Sequence, residues 1–223
     1  MKRSEINALI SDAMRVLDQH QVRLPAFGYW SAADWDSKGA ECDEIRHCKL
    51  GWDITDFGSG KFYQVGLVVF TVRNGHQKRA PYTGKTYAEK ILIVRENQHT
   101  PMHHHIRKAE DIICRGGGNL RLRVYNRASD GHIASTDVEV SLDGVRHRVE
   151  AGHTFVLRPG ASITLTPFLY HEFWAEEGTG TCLAWEVSSV NDDDVDNVFL
   201  GEVGRFPEIE EDAAATHRLC TEY

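Results

Sequence analysis

Val65-Gly-Leu-Val-Val-Phe-Thr-Val72 is rich in β-branched residues and is followed by Asn74-Gly75. Such a run reads as a strand, because branched side chains pack well on a pleated surface. Asn74-Gly75 predicts a two-residue type I′ hairpin, in which both central residues need φ > 0. Working outward, Lys90-Ile-Leu-Ile-Val94, Leu120-Arg-Leu-Arg-Val-Tyr125 and Val138-Glu-Val-Ser-Leu142 read the same way. So do Phe155–Leu157, Ser162–Leu165, His171–Trp174 and Cys182–Val187. Asp130-Gly131 and Asp143-Gly144 are turn signals, the second between two alternating runs. Short strands with regular turns predict an all-β core, a β-barrel or jelly roll, and argue against α/β.

The first 50 residues differ. Ile6, Leu9, Ile10, Ala13, Met14 and Leu17 fall on one helical face. Ser4 is the expected N-cap, and Leu24-Pro25 the expected stop. Ser31-Ala-Ala-Asp34 resembles a capping box with Asp in place of Glu and predicts a short second helix. The organisation expected is one domain over residues 1–223: a helical extension at 1–50 packed outside, a barrel at 51–190 and an acidic segment at 191–223. No internal repeat or low-complexity linker interrupts it.

Charge narrows the function classes. Twenty-five Lys+Arg against 33 Asp+Glu leaves −8, which argues against a nucleic-acid footprint. From Glu186 to Tyr223, eleven acids face only Arg205 and Arg218, so the negative excess sits there. That tail reads either as a solvated face or as acids turned inward toward a site. No apolar run approaches the ~20 residues of a membrane span, so no membrane partner is expected. Met1-Lys-Arg-Ser-Glu-Ile-Asn-Ala-Leu-Ile-Ser-Asp12 turns polar too soon for a secretory leader. The five scattered cysteines form no C-x-x-C pair, which predicts reduced thiols in a cytoplasmic protein.

The sharpest chemical signal is Met102-His-His-His-Ile-Arg-Lys-Ala-Glu110. In a strand, residues i and i+2 share a face, so His103 and His105 project together and His104 away. Glu110 returns a carboxylate after a turn. Imidazole nitrogen plus carboxylate oxygen is a ligand set for a divalent transition metal. A fourth ligand is expected from another strand, and His171 is the best placed.

These residues resemble the cupin superfamily: His103-x-His105-x4-Glu110 with Gly116-Gly-Gly118 following, then Gly152, Pro159-Gly160 and His171. The eleven residues from Gly160 to His171 leave room for an extra short strand over 162–166. The glycines at 116–118 read as a tight turn. A closer resemblance is to the D-lyxose isomerase family of cupin sugar isomerases. It is carried by His103 through Leu120, by the Met-Lys-Arg-Ser start, by Pro159–Leu165, by Glu186-Val-Ser-Ser-Val-Asn-Asp-Asp193 and by Glu208-Ile-Glu-Glu-Asp212. That resemblance implies a Mn2+-dependent aldose–ketose isomerase, with Co2+ or another divalent ion as an alternative. The implied substrates are D-lyxose and D-mannose and the implied assembly is a homodimer.

Such a reaction moves a proton between C1 and C2. The expected route is a cis-enediol, with hydride shift as the competitor. It needs a base. Glu186, on a late apolar strand, ranks first and Glu202, on a glycine-bounded loop, second. Lys90, opening an apolar strand, is expected to hold a sugar hydroxyl or the enediolate. Arg205 is expected to clamp substrate, and Phe168 to sit against sugar C–H faces. Trp174 and Trp185 read as core or floor, and Asp193 as a turn residue. A phosphorylated substrate is not expected, because no glycine-rich loop opens a helix. Three histidines and a carboxylate on Fe(II) also suit an oxygenase, and a non-catalytic sugar-binding cupin is the third class. The polar candidates favour sugar chemistry.

Overall fold

Alternation along the strands decides how the layers stack. The computed structural model describes residues 1–193, 195–204 and 207–223. Its strands are β1 (Gly51–Thr55), β2 (Leu67–Arg73), β3 (Tyr87–Val94), β4 (His103–His105), β5 (Glu110–Gly117), β6 (Leu120–Asn126) and β7 (Val138–Leu142). They continue with β8 (Val145–Val149), β9 (Thr154–Leu157), β10 (Ser162–Leu165), β11 (Leu169–Ala175), β12 (Cys182–Ser189) and β13 (Asn197–Phe199). One sheet has the order β1-β2-β3-β12-β5-β10-β7-β8, the other β13-β4-β11-β6-β9. Every paired strand is antiparallel. The two sheets enclose one apolar interior, built from Leu92 and Val94 of β3, Ile112 of β5, Leu120 and Leu122 of β6 and Ile163 of β10. This is the all-β barrel expected, with the helices outside it.

Helix α1 (Arg3–Gln19) covers the outer face of β1, β2 and β3. Ile6, Leu9, Ile10, Ala13 and Leu17 meet Trp52, Ile54, Val68, Phe70, Ile91 and Ile93. Burying each isoleucine or leucine side chain contributes roughly 1.5–3 kcal/mol. β2 and β3 are therefore buried on both faces. That is why Val68-Val-Phe70 and Ile91-Leu-Ile-Val94 are unbroken apolar runs rather than alternating ones.

The local punctuation is mixed. Ser31 caps α2 (Ala32–Trp35) in a full capping box with Asp34. Asp143 and Gly144, at φ 49° and 82°, form the tight turn joining β7 to β8. Ser4, by contrast, lies inside α1, whose cap position is Lys2. The Ser4 N–H and hydroxyl both donate to Asp212 of the tail, at 2.9 and 2.7 Å. A distant carboxylate thus satisfies the first turn. α1 also stops at Gln19, well before Leu24-Pro25, with Gln21 at φ 57°.

Asn74-Gly75 makes no hairpin, since neither residue has positive φ. The Asn74 amide donates instead to the carbonyls of Cys48 and Asn191, at 3.2 and 2.9 Å. The chain then takes residues 76–86 to reach β3. The glycines at 116–118 do not make an isolated turn: β5 runs through Gly117 at φ 71°, beside a register shift between Leu183 and Ala184. A Cβ on Gly117 would lie 2.1 Å from the Thr181 carbonyl oxygen.

Candidate metal centre and active site

β4 and β11 set the histidines. His103 pairs with His171 across the two strands. His105 shares the inward face of His103, and His104 faces the other way, its ring 4.7 Å from Tyr170. One ligand atom each from His103, His105 and His171 fall within 4.8 Å of one another. Glu110, the first residue of β5, brings Oε1 to 3.3 Å from His105 Nε2 and 3.1 Å from His171 Nε2.

The tautomers follow from backbone partners. A carbonyl only accepts, so His103 Nδ1 donates to Pro101 O at 2.8 Å and His171 Nδ1 to Leu169 O at 3.0 Å. Their Nε2 atoms then carry lone pairs. His171 Nε2 is buried and unbonded, and faces a carboxylate oxygen, two acceptors with no donor between them. That arrangement suits a divalent cation, and the carbonyl partners are the kind that fix ring orientation at metal sites. Burial holds His103 well below the ordinary imidazole range, with His171 and His105 adding to it. Burial also lowers His105, and Lys108 lowers it further. Burial alone would raise the Glu110 carboxyl, but Lys108 and His105 outweigh it and hold the group well below the usual carboxylate range. All of this favours ligands in their metal-binding protonation states at neutral pH.

Beside the histidines lies a buried charge network. Lys108 Nζ is 2.6 Å from Glu110 Oε2 and 2.8 Å from Glu186 Oε1. Lys90 Nζ is 3.8 Å from Glu186 and 3.6 Å from Asp193. Register explains the meeting, since Lys90 pairs with Glu186 across β3 and β12. Ser188 donates to Glu186 Oε1 at 3.0 Å. Burial opposes the charge on Lys108, but Glu110, Glu186 and Asp193 outweigh it and raise its pKa. Lys90, Lys108, Glu110, Glu186 and Asp193 wall a small cavity of about 50 Å3, with Phe173, Phe199 and Phe57 as its apolar side.

A family model described as D-lyxose isomerase matches residues 1–223. The chain belongs to the D-lyxose isomerase family. The D-lyxose/D-mannose isomerase of Escherichia coli O157:H7 is 50% identical, over 100% of this chain and 98% of the relative. That of Serratia proteamaculans is 47% identical over the same shares. The L-ribose isomerase of Cellulomonas parahominis superposes with a TM-score of 0.62, covering 94% of this chain and 98% of that one, at 15% identity. This last likeness carries the fold, a cupin-type barrel. The protein is accordingly a sugar isomerase of the aldose–ketose class.

In this isomerase, His103, His105, Glu110, Lys90 and Glu186 line one cavity, and His171 joins them through Glu110 and the histidine cluster. Other expected site residues do not. Glu202 is exposed and lines an outer depression rather than the metal cavity. Phe168 is 46% exposed. Its ring lies beside His104 and Arg127, because β4 turns His104 outward. Trp174 stacks on His99, and Trp185 donates to Glu89, both away from the cavity. Arg205 lies outside the described residues. Two members of the network carried no expected role: Lys108, and Asp193, read as a turn residue. Lys108 shares its parity with Glu110, which was the available signal. Asp196 is a further inward acid of the tail. Its carboxylate accepts from the N–H groups of Arg107 and Lys108, at 2.9 and 3.0 Å, and so sets the turn that delivers Lys108.

Proposed function

We propose that the protein is a divalent-metal-dependent isomerase interconverting D-lyxose with D-xylulose, and D-mannose with D-fructose, with Mn2+ as the first metal to test and Co2+ the second. The observation that supports it best is the meeting of His103, His105, His171 and Glu110 next to the Lys108–Glu186–Lys90 network. The relatives' names supply the sugars. When bound, the ion supplies Lewis acidity toward oxygens on two adjacent sugar carbons.

Glu186 takes the proton from C2 and returns it to C1 while the hydroxyl proton passes from O2 to O1, the cis-enediol route. Lys108 and Ser188 hold one of its oxygens, which orients the other. Lys90, between Glu186 and Asp193, donates to a sugar oxygen as negative charge develops. Phe173 and Phe199 keep water from the reacting carbons. Arg205 keeps its proposed part as a substrate clamp. Glu202 is the weaker base candidate, since it lies on the outer depression. The molecule is proposed to act as a homodimer in a reducing cytoplasm, where its five free cysteines stay reduced.

The test is ketose formation from D-lyxose by chelator-stripped protein, before and after adding Mn2+. D-xylulose only with metal supports the proposal, and solvent deuterium entering the product supports the enediol over hydride shift. Absence of product from either aldose with metal bound overturns it. Light scattering reads the dimer.

A further inference from the structure

Outside the metal cavity lies a shallower depression lined by Gly58, Gly201 and Glu202, and the two share Phe57, Asn197 and Phe199. The rings of Phe57 and Phe199 meet edge to face at 5.8 Å, and Phe199 lies 5.4 Å from His103. Phe57 is buried at φ 52°, a conformation sparsely populated by bulky residues. It is held there from both sides. Its N–H donates to Thr55 Oγ1 at 2.9 Å, and its carbonyl accepts from Gly204 N–H at 3.0 Å.

Asn197 completes the boundary. Its Nδ2 donates to Asp193 Oδ1 at 3.0 Å. The amide can face that way only, because an ionised carboxylate offers no donor. Asn197 Oδ1 is left buried with no hydrogen-bond partner. A buried acceptor without a partner carries a free-energy cost that a ligand's donor removes.

We propose that Phe57, Phe199 and Asn197 form the threshold between the outer depression and the metal cavity, and that Asn197 Oδ1 accepts a hydrogen bond from a distal hydroxyl of the open-chain sugar. This rests on the isomerase reading. The chemistry of the three fits an unmodified polyol. Aromatic faces take C–H groups, and a lone acceptor takes an O–H. A phosphate or carboxylate at the same place would meet Asn197 Oδ1 and Glu202 and find no donor in either.

The experiment uses the Mn2+-loaded full chain. kcat/KM is measured on D-lyxose and on its 4-deoxy and 5-deoxy analogues, for wild type and Asn197→Ala. One analogue is expected to lose about 10-fold on wild type, and Asn197→Ala about 10-fold on D-lyxose. The variant with that analogue should lose no more than either change alone. Losses that multiply for both analogues overturn the hydrogen bond. If Asn197→Ala does not fold, Asn197→Gln, which keeps the amide but shifts the oxygen, takes its place under the same criterion.

Access is read without turnover. Phe199→Ala in Co2+-loaded protein should lose its visible absorbance to EDTA about 10-fold faster than wild type, with the exposed-face variant Val156→Ala as control. Equal rates in all three overturn the threshold. A wild type that converts neither D-lyxose nor D-mannose removes the isomerase reading instead, while the chelator rates still report on access.

Discussion

The inward face of β3, β5 and β12 carries two chemistries, one at each end of the barrel. Toward the closed end come Leu92 and Val94, Ile112 and Cys114, Ala184 and Cys182, all buried and apolar. One inward position nearer the mouth, the same strands present Lys90, Glu110 and Glu186. The backbone pairing is continuous between the two ends, with Leu92 against Ala184 and Lys90 against Glu186. Between β3 and β12 the register is unbroken and only the side chains change, while β5 and β12 shift register between Leu183 and Ala184, within the apolar end. The closed end holds the fold through burial. The mouth carries charges that are costly to enclose and that remain enclosed because each has opposite charges beside it.

The largest break in this comparison is Glu186→Gln. It is isosteric and touches no metal ligand, so bound metal should be unchanged, while Tm should fall because Lys108 and Lys90 lose a buried carboxylate partner. kcat should fall by about 10^2–10^4-fold, the range for losing a general base. Initial rates with metal analysis check it. A rate within 10-fold of wild type would move the base elsewhere.

Lys108→Met tests the cost of the mouth itself. It leaves Glu110 and Glu186 as neighbouring buried carboxylates without their shared cation. Breaking a buried pair costs about 3–5 kcal/mol, to be read by denaturant unfolding of chelator-treated protein. At the other end, Leu122→Ala removes fully buried atoms and should cost about 2–5 kcal/mol. Its kcat/KM, measured well below the lowered Tm, should stay within about twofold, since no charge of the mouth moves. A closed-end variant that lost activity without losing stability would erase the division between the two ends.

How legible was that division? His103 and His105 were readable because a period of two survives in a three-residue strand, and His171 because its strand opens after a proline turn. Lys108 was quoted in the same motif and given no role. A lysine in a polar turn reads as solvated, and its partner Glu186 lies 78 residues away. Asp193 was hidden for a similar reason, since Asn-Asp-Asp-Asp looks like turn chemistry until Lys90 is opposite it. Ser4 and Asn74 show the rule from the other side. Each carried a correct local signal for a cap or a turn, and each is claimed by a distant partner, Asp212 in one case and Asn191 in the other. Signals that depend on neighbours in sequence were legible. Those satisfied by tertiary partners were not.

Acid sharpens the contrast, because of the two ends of the inward face only the mouth carries imidazoles and carboxylates. In chelator-treated protein, His103 and His105 have folded pKa values below the unfolded 6.5. The unfolded chain therefore binds protons first, and stability falls as pH drops below about 6.5. Glu110 is depressed below its unfolded 4.5, so its contribution is present above that value and is lost as pH falls further. Tm measured from pH 7.5 down to about pH 2.5 should decline in two stages, the first below about 6.5 and the second below about 4.5. Leu122→Ala should lower the whole curve without changing its shape. A flat curve for the chelated protein would mean that the histidines are not held neutral by the fold.

The smallest expected effect belongs to Phe168, which lies within three residues of His171 yet on the other side of the sheet. Its ring lies 5.7 Å from that of His104 and is a little under half exposed. Its backbone sits at φ 66°, a strained choice for a residue with a bulky side chain. Phe168→Gly removes the ring and relieves that φ together. The lost packing and the relieved strain oppose each other, each of order 1 kcal/mol, so the net change in stability should be under about 1 kcal/mol. kcat/KM should stay within about twofold, because the Phe168 N–H that binds the His105 carbonyl at 2.8 Å survives the substitution. A 10-fold loss in kcat/KM with unchanged Tm would place the ring in the path of the sugar. The outer face of β4 would then belong to the site as much as the inner one.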